Sequence, residues 1–293
     1  MGCKLTKAKE LLKGAVDTHI HSGPDILFRS VDDLEAAQQA KKAGMKAIVL
    51  KCHDSLTADR AWIATKVTGF PVYGGLVLNA SVGGFNPFAV QRAIEFGAKI
   101  IWGPTTTGAN LLEKSKTVIG AFTNNTPSWV KGSTPLNKNK ELTPEALKIL
   151  GIIKETDTIL ATGDLSPEES KILVKKAEAI GIKKIMITHP QVDWMRFSLK
   201  DLEYLVSLGA KAEHCVSACN KLVQHPIPVS EIAHEIKVIG AENSTLATDG
   251  GWGELPPPVQ LMTDYIEKLL ESGISEDEIR IMTNRNPSKL LGI

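Results

Sequence analysis

The chain has 293 residues, enough for one large core, and its 34 basic and 33 acidic side chains leave a net charge of +1. No block of like charge forms a phosphate-binding stripe, so nucleic acid is excluded as an expected partner. There is no run of about eighteen or more apolar residues, and the opening MGCKLTKAKELLKGA lacks a signal peptide's apolar stretch, so a soluble cytoplasmic protein without a membrane partner is expected.

Short runs rich in Val and Ile alternate with stretches of helical period, the pattern of βαβ units around a parallel sheet. In chain order the runs predict strands over residues 15–20, 46–51, 72–78, 98–102, 158–162, 183–188, 210–214 and 244–248. Between them the periodicity predicts helices over 31–43, 57–67, 87–96, 144–155, 167–180, 199–208 and 229–239, and a helical tail from Pro257 onward. Ser166 followed by Pro167, Glu168 and Glu169 reads as an N-cap, a first-position proline and acids at the positive helix end. Gly44, Gly97, Gly181, Gly209 and Gly240 stand where helices should stop.

Eight strands with intervening helices count out to an α/β chain closed as a (β/α)8 TIM barrel, a single domain over residues 1–293. No GxGxxG or GxxxxGK[ST] follows any strand, which removes support for the nucleotide-binding open sheets. Residues 110–143 mix Thr, Asn, Pro and Lys and are too long for an ordinary connection. They read as an insertion between strands 4 and 5 near the active-site mouth, or as a surface excursion with a small hairpin.

Four cysteines, at positions 3, 52, 215 and 219, make no disulfide framework in so long a chain. Cys215 and Cys219 lack a second pair and read as buried thiols. Met1, Gly2 and Thr6 satisfy a loose myristoylation pattern that chance often produces.

In such a barrel the chemistry lies at the C-terminal ends of the strands. The first run ends in Asp17-Thr18-His19-Ile20-His21, the second in Lys51-Cys52-His53-Asp54, the fifth in Gly163-Asp164, the sixth in His189-Pro190, the seventh in Glu213-His214 and the eighth in Asp249-Gly250-Gly251. Strand side chains alternate faces, so His19 and His21 share a side and can bind one metal together; Lys51 and His53 share a face likewise. Neutral imidazoles with a carboxylate suit Zn²⁺ and related divalent ions. His225 and His234 fall in a loop and a helix, and His214 competes with Glu213 for the inward direction, so these three read as structural. Arg29, Asn79, Thr105 and Trp252 lie on loops that should face the mouth and are candidates for substrate contact.

Asp17-Thr18-His19-Ile20-His21 resembles the HxH motif on the first strand of the amidohydrolase superfamily. His189 in ITHP and Asp249 in ATDGG match that superfamily's histidine and aspartate after strands six and eight, and Asn286-Pro287-Ser288-Lys289-Leu290-Leu291-Gly292 resembles its C-terminal segment. Two departures stand out: Asp164 occupies the place of a histidine after strand five, and Trp102-Gly103-Pro104-Thr105 after strand four supplies no bridging ligand. The resemblance implies a divalent metal, zinc foremost with manganese or iron as alternatives, at one or two ions per chain. His19, His21, His53, Asp164, His189 and Asp249 are its candidate ligands. Lys51 is read as an ammonium that binds an anionic or carbonyl oxygen, with a carboxylated bridge as the alternative.

The implied reaction is hydrolysis of an amide, lactone or related ester in a small-molecule substrate, with Asp249 as general base. The alternatives are a one-metal decarboxylase or deaminase, a metal-dependent phosphoesterase, and a barrel that only binds or scaffolds. Assembly into a homo-oligomer stays open.

Overall fold

Each apolar run forms a strand, shortened at most by two residues at either end: β1 (Val16–Ile20), β2 (Ala47–Leu50), β3 (Val72–Val77), β4 (Ile100–Trp102), β5 (Ile159–Ala161), β6 (Ile185–Thr188), β7 (Lys211–Cys215) and β8 (Ser244–Ala247). The computed structural model describes residues 2–114, 126–221 and 223–293, with side chains from residue 7. Met1 of the myristoylation pattern, the side chain of Cys3 and residues 115–125 of the expected insertion lie outside the described residues. The strands run parallel in the order β1 to β8. A bridge between Ile20 and Gly250, with the His21 N–H donating to the Gly250 carbonyl at 2.8 Å, brings the last strand back to the first. The architecture is the (β/α)8 TIM barrel.

The helices start where short polar side chains satisfy their free N–H groups. Ser166 accepts from the Glu169 N–H and Glu169 reaches back, a capping box with Pro167 in the first turn; Asp32 and Glu35 do the same for Asp33–Lys42. Two helices carry no clear sequence signal. Gly2–Leu11 has too few apolar residues to stand out, yet it packs on the Pro258–Glu271 helix and buries Ala8, Leu11 and Leu12. Ala109–Lys114 opens the expected insertion, which Ser133 ties back to Gly108; an antiparallel bridge joins Leu136 to Leu142. Among the described residues no helix is long and apolar enough to cross a membrane.

Alternation of side chains sorts each strand into an inner and an outer core. Val16, Ala47, Val49, Val77, Ile100, Trp102, Ile159, Ala161 and Met186 fill the barrel, closed below by Leu290 and Leu291. Trp102 is the largest of these, and Gly75 makes room for it: a Cβ there would lie 2.5 Å from the indole. The outer residues, such as Ile48, Leu50, Ile187 and Leu246, pack beneath the helices.

One irregularity decides where the chemistry points. Asp17 pairs with Ile48 and Ile20 with Leu50, so three steps along β1 oppose two along β2, a β-bulge. Val16 faces the barrel interior, and strict alternation from it would turn Ile20 inward and His19 outward. The extra residue reverses this. Ile20 joins the outer core with Val31 and Ile48, and His19 and His21 aim inward.

His214 illustrates the opposite placement. Ala212 on β7 packs outward, so Glu213 and Cys215 face in and His214 faces out, where the Gln191 amide donates to its Nδ1 at 2.7 Å and its Nε2 meets the Ser244 hydroxyl at 3.2 Å. Burial pushes its pKa down to about 3. A histidine held neutral below its ordinary value stabilises the fold above about pH 6.5 and loses that contribution as the pH falls toward the folded value, on the order of 5 kcal/mol in all. Urea midpoints compared at pH 7 and pH 4 should therefore drop steeply in the wild type and less in His214→Gln. Equal drops would contradict this assignment.

Candidate metal centre

At the C-terminal mouth, His19 sits between two carboxylates. Its Nδ1 lies 3.1 Å from Glu213 Oε2 and its Nε2 lies 3.1 Å from Asp249 Oδ1. Glu213 also accepts the Thr18 hydroxyl at 2.6 Å, so this fully buried carboxylate is held from two sides and fixes the imidazole with its Nδ1 proton toward β7. Nε2 is left for the cavity. Asp249 Oδ1 is also 3.0 Å from His21 Nε2, and Lys51 Nζ is 3.0 Å from His19 Nε2.

His19, His189 and Asp249 each bring a ligand atom to within 4.8 Å of the others. His21 joins through Asp249, and its ring stacks on that of His53 at 4.6 Å between centroids. His53 and Asp164 stay on the flanks. His53 Nδ1 meets the Thr105 hydroxyl at 2.8 Å; Asp164 accepts the Trp194 indole N–H at 3.1 Å and lies 3.5 Å from His189 Nε2.

The decisive feature is what lacks a partner. His21 Nδ1, His53 Nε2, His189 Nδ1 and Asp164 Oδ1 are buried without a well-aligned hydrogen bond, and His21 Nε2 meets only Asp249, although polar atoms in a folded interior nearly always have a partner. Such a group of lone pairs around a carboxylate fits a divalent cation. The backbone is strained at the same place: His189 (φ 23°) and Asp249 (φ 49°) adopt left-handed conformations that L-residues avoid.

The electrostatics agree with a ligand set. Burial pushes the pKa of His21 and His53 well below the ordinary value, helped by Arg29 at His21 and by His21 at His53. Burial also lowers His189 against the pull of Asp164 and Asp249. Asp249 is driven well below the usual carboxylate range, because His19 and His21 outweigh its own burial. For His19 burial and Lys51 act downward, but Asp249 and Glu213 win and the net shift is upward. The neutral imidazoles of His21, His53 and His189 beside an ionised Asp249 are forms a metal requires, whereas His19 would give up its extra proton to an ion.

A second cluster, His19 with Glu213 and Cys215, lies beneath. Burial and Glu213 push the Cys215 thiol well above its ordinary pKa, and the Glu213 oxygens already accept two hydrogen bonds, so this layer supports the first.

Residues 14–213 match the family described as "Family of unknown function (DUF6282)", more than half of the chain. The chain belongs to DUF6282. No curated protein matches its sequence. Among solved structures, an amidohydrolase from Pseudomonas aeruginosa is similar with a TM-score of 0.60 and 11% identity, over 98% of each chain. The probable dipeptidase PvdM from the same organism is similar at 0.64 and 12%, over 99% of this chain and 98% of that one. A 2,6-dihydroxybenzoate decarboxylase is similar at 0.55 and 10%, over 96% and 100%. At these identities the likeness establishes the fold alone: the DUF6282 chain is a (β/α)8 TIM barrel, as its strand order implied.

The mouth of the DUF6282 barrel is closed by Trp252, whose indole lies over His21 at 5.2 Å and donates to the Asp249 carbonyl at 2.9 Å. Trp252 lines the inner cavity beside Lys51, His53, His189 and Asp249. The other three loop residues expected to touch substrate make contacts within the protein. Arg29 forks onto Asp25 at 2.9 and 3.0 Å and lies 4.1 Å over Trp252. The buried Asn79 amide donates to the His53 carbonyl and the Thr105 and Thr106 hydroxyls, and its oxygen accepts from the Thr105 and Thr107 N–H groups and the Thr107 hydroxyl. Through Thr105 this knot holds His53 in place. Gly251 is required in the same turn, since a Cβ there would lie 1.6 Å from the His21 carbonyl oxygen. Sequence reasoning missed Glu213 as the residue that orients His19, although the alternation along β7 contained that information.

Proposed function

We propose that this chain is a metal-dependent hydrolase of amides, lactones or related esters. The observation that carries the reading is the ring of unpartnered buried nitrogens around an ionised Asp249 at the C-terminal mouth. His19, His21, His189 and Asp249 would hold the ion, with His53 and Asp164 beside it; three imidazoles and a carboxylate favour zinc, with manganese or iron as alternatives. A divalent ion would supply a Lewis acid and water with its pKa lowered toward about 7.

The chain's own groups do the rest. Asp249 takes the proton from the attacking water and passes it to the leaving group, a task suited to a carboxylate held ionised near neutral pH. Lys51, buried beside His19, holds the developing negative charge on the substrate oxygen. His53 turns an unpartnered Nε2 to the inner cavity and hydrogen-bonds the substrate, and Trp252 excludes water.

Decarboxylation or deamination with one ion is the second reading, favoured by Trp102, which fills the place where a fourth-strand ligand would stand. Chain loaded with Zn²⁺, Mn²⁺ or Fe²⁺ and screened against amides, lactones and phosphoesters should hydrolyse an amide or lactone and lose that activity to a chelator. Release of carbon dioxide from a carboxylate, or of ammonia from an amino-substituted ring, with no cleavage of any amide or lactone would move the assignment to the second reading.

A further inference from the structure

Outside the inner cavity lies a larger one of about 240 Å³, and His53 and Thr106 line both. The two cavities therefore adjoin at His53 and Thr106. Its apolar side is built from Ile26, Leu27, Ala80, Pro127 and Val130 with the Trp129 indole, and hydroxyl side chains, Ser81 among them, line the rest. Ile26 is 70% exposed and Trp129 80% exposed, large apolar side chains left uncovered at the lip of a cavity.

Among the described lining residues one carboxylate stands out. Asp54 is half-buried on the lining, and among the described residues no cation pairs with it. Asp54 accepts a hydrogen bond from Ser81, and the nearby Asp25 is paired with Arg29 at 2.9 Å and stands off the lining, so Asp54 is the carboxylate that faces the cavity. An apolar cavity of about 150 Å³ holds benzene, so this one accommodates a substituted ring.

We propose that the outer cavity is the substrate-recognition subsite, taking an apolar, ring-sized group whose cationic nitrogen pairs with Asp54 while the reacting bond extends inward past His53. This rests on the reading of the inner cavity as the reaction centre. Neutral and anionic groups of the same shape are discriminated against, because the Ser81, Thr106, Thr107 and Thr126 hydroxyls on the lining offer hydrogen bonds but no charge to replace the ion pair, and an anion meets a carboxylate.

The test is calorimetric titration of the metal-loaded full chain with benzamidine, a permanent cation near neutral pH, and with benzamide, its neutral near-isostere. Benzamidine should bind about tenfold tighter or more, the preference expected of one charge-assisted contact. Asp54→Asn should reduce the preference to within about twofold, and Trp129→Ala should weaken both ligands. Equal binding of the two, binding of neither, or a preference that survives Asp54→Asn would overturn the proposal. Binding is read without turnover, so an intact preference in a chain with no hydrolytic activity would count against the reaction centre and leave the subsite standing.

Discussion

Asp249→Asn should lower kcat by about 10²- to 10⁴-fold while the protein keeps its fold and its metal, the loss typical when a positioned general base is removed. The substitution is conservative in shape, and Asn tolerates the left-handed backbone found at φ 49°. What it removes is the charge. Asp249 is the carboxylate that meets His19 at 3.1 Å and His21 at 3.0 Å, and those two rings keep it ionised despite burial. An amide cannot accept the proton of the attacking water. Kinetics with parallel metal analysis check this; activity within about threefold of wild type would remove Asp249 from the mechanism.

Glu213→Gln should weaken metal binding by about 10- to 100-fold, the usual cost of losing a partner that orients a ligating histidine. Glu213 touches the far nitrogen of His19, at 3.1 Å, and nothing in the cavity. Its carboxylate raises the basicity of the imidazole and locks the tautomer that turns Nε2 toward Asp249. Glutamine retains the volume and one acceptor for the Thr18 hydroxyl, so the fold is preserved. Competition against a chromophoric chelator measures the affinity. Unchanged affinity would make Glu213 a packing residue only.

The barrel was legible because Val- and Ile-rich runs, helix caps and stop glycines all agree along this chain, and each of the eight runs became a strand. The positions of His19, His189 and Asp249 at one end of the barrel followed from strand order alone. Other features depend on partners far away in sequence. The β1 bulge that aims His19 inward exists only in the pairing with β2, and neither strand shows it by itself. Asn79 and Thr105 look like free loop polar residues until each other's loops are brought together. Arg29 likewise finds Trp252 across more than two hundred residues of chain. The recognition cavity is assembled from the loop after β1, the segment after β3 and residues 126–130, so no local motif announces it.

The most direct test of the metal centre is the metal content of purified chain after incubation with Zn²⁺, Mn²⁺ or Fe²⁺ and removal of free ion. The site predicts about one tightly held ion per chain in the wild type and a near-complete loss in the His19→Asn, His21→Asn double variant, with the fold intact by circular dichroism. Wild-type protein that retains no ion under these conditions, or a double variant that binds as well as wild type, would contradict it.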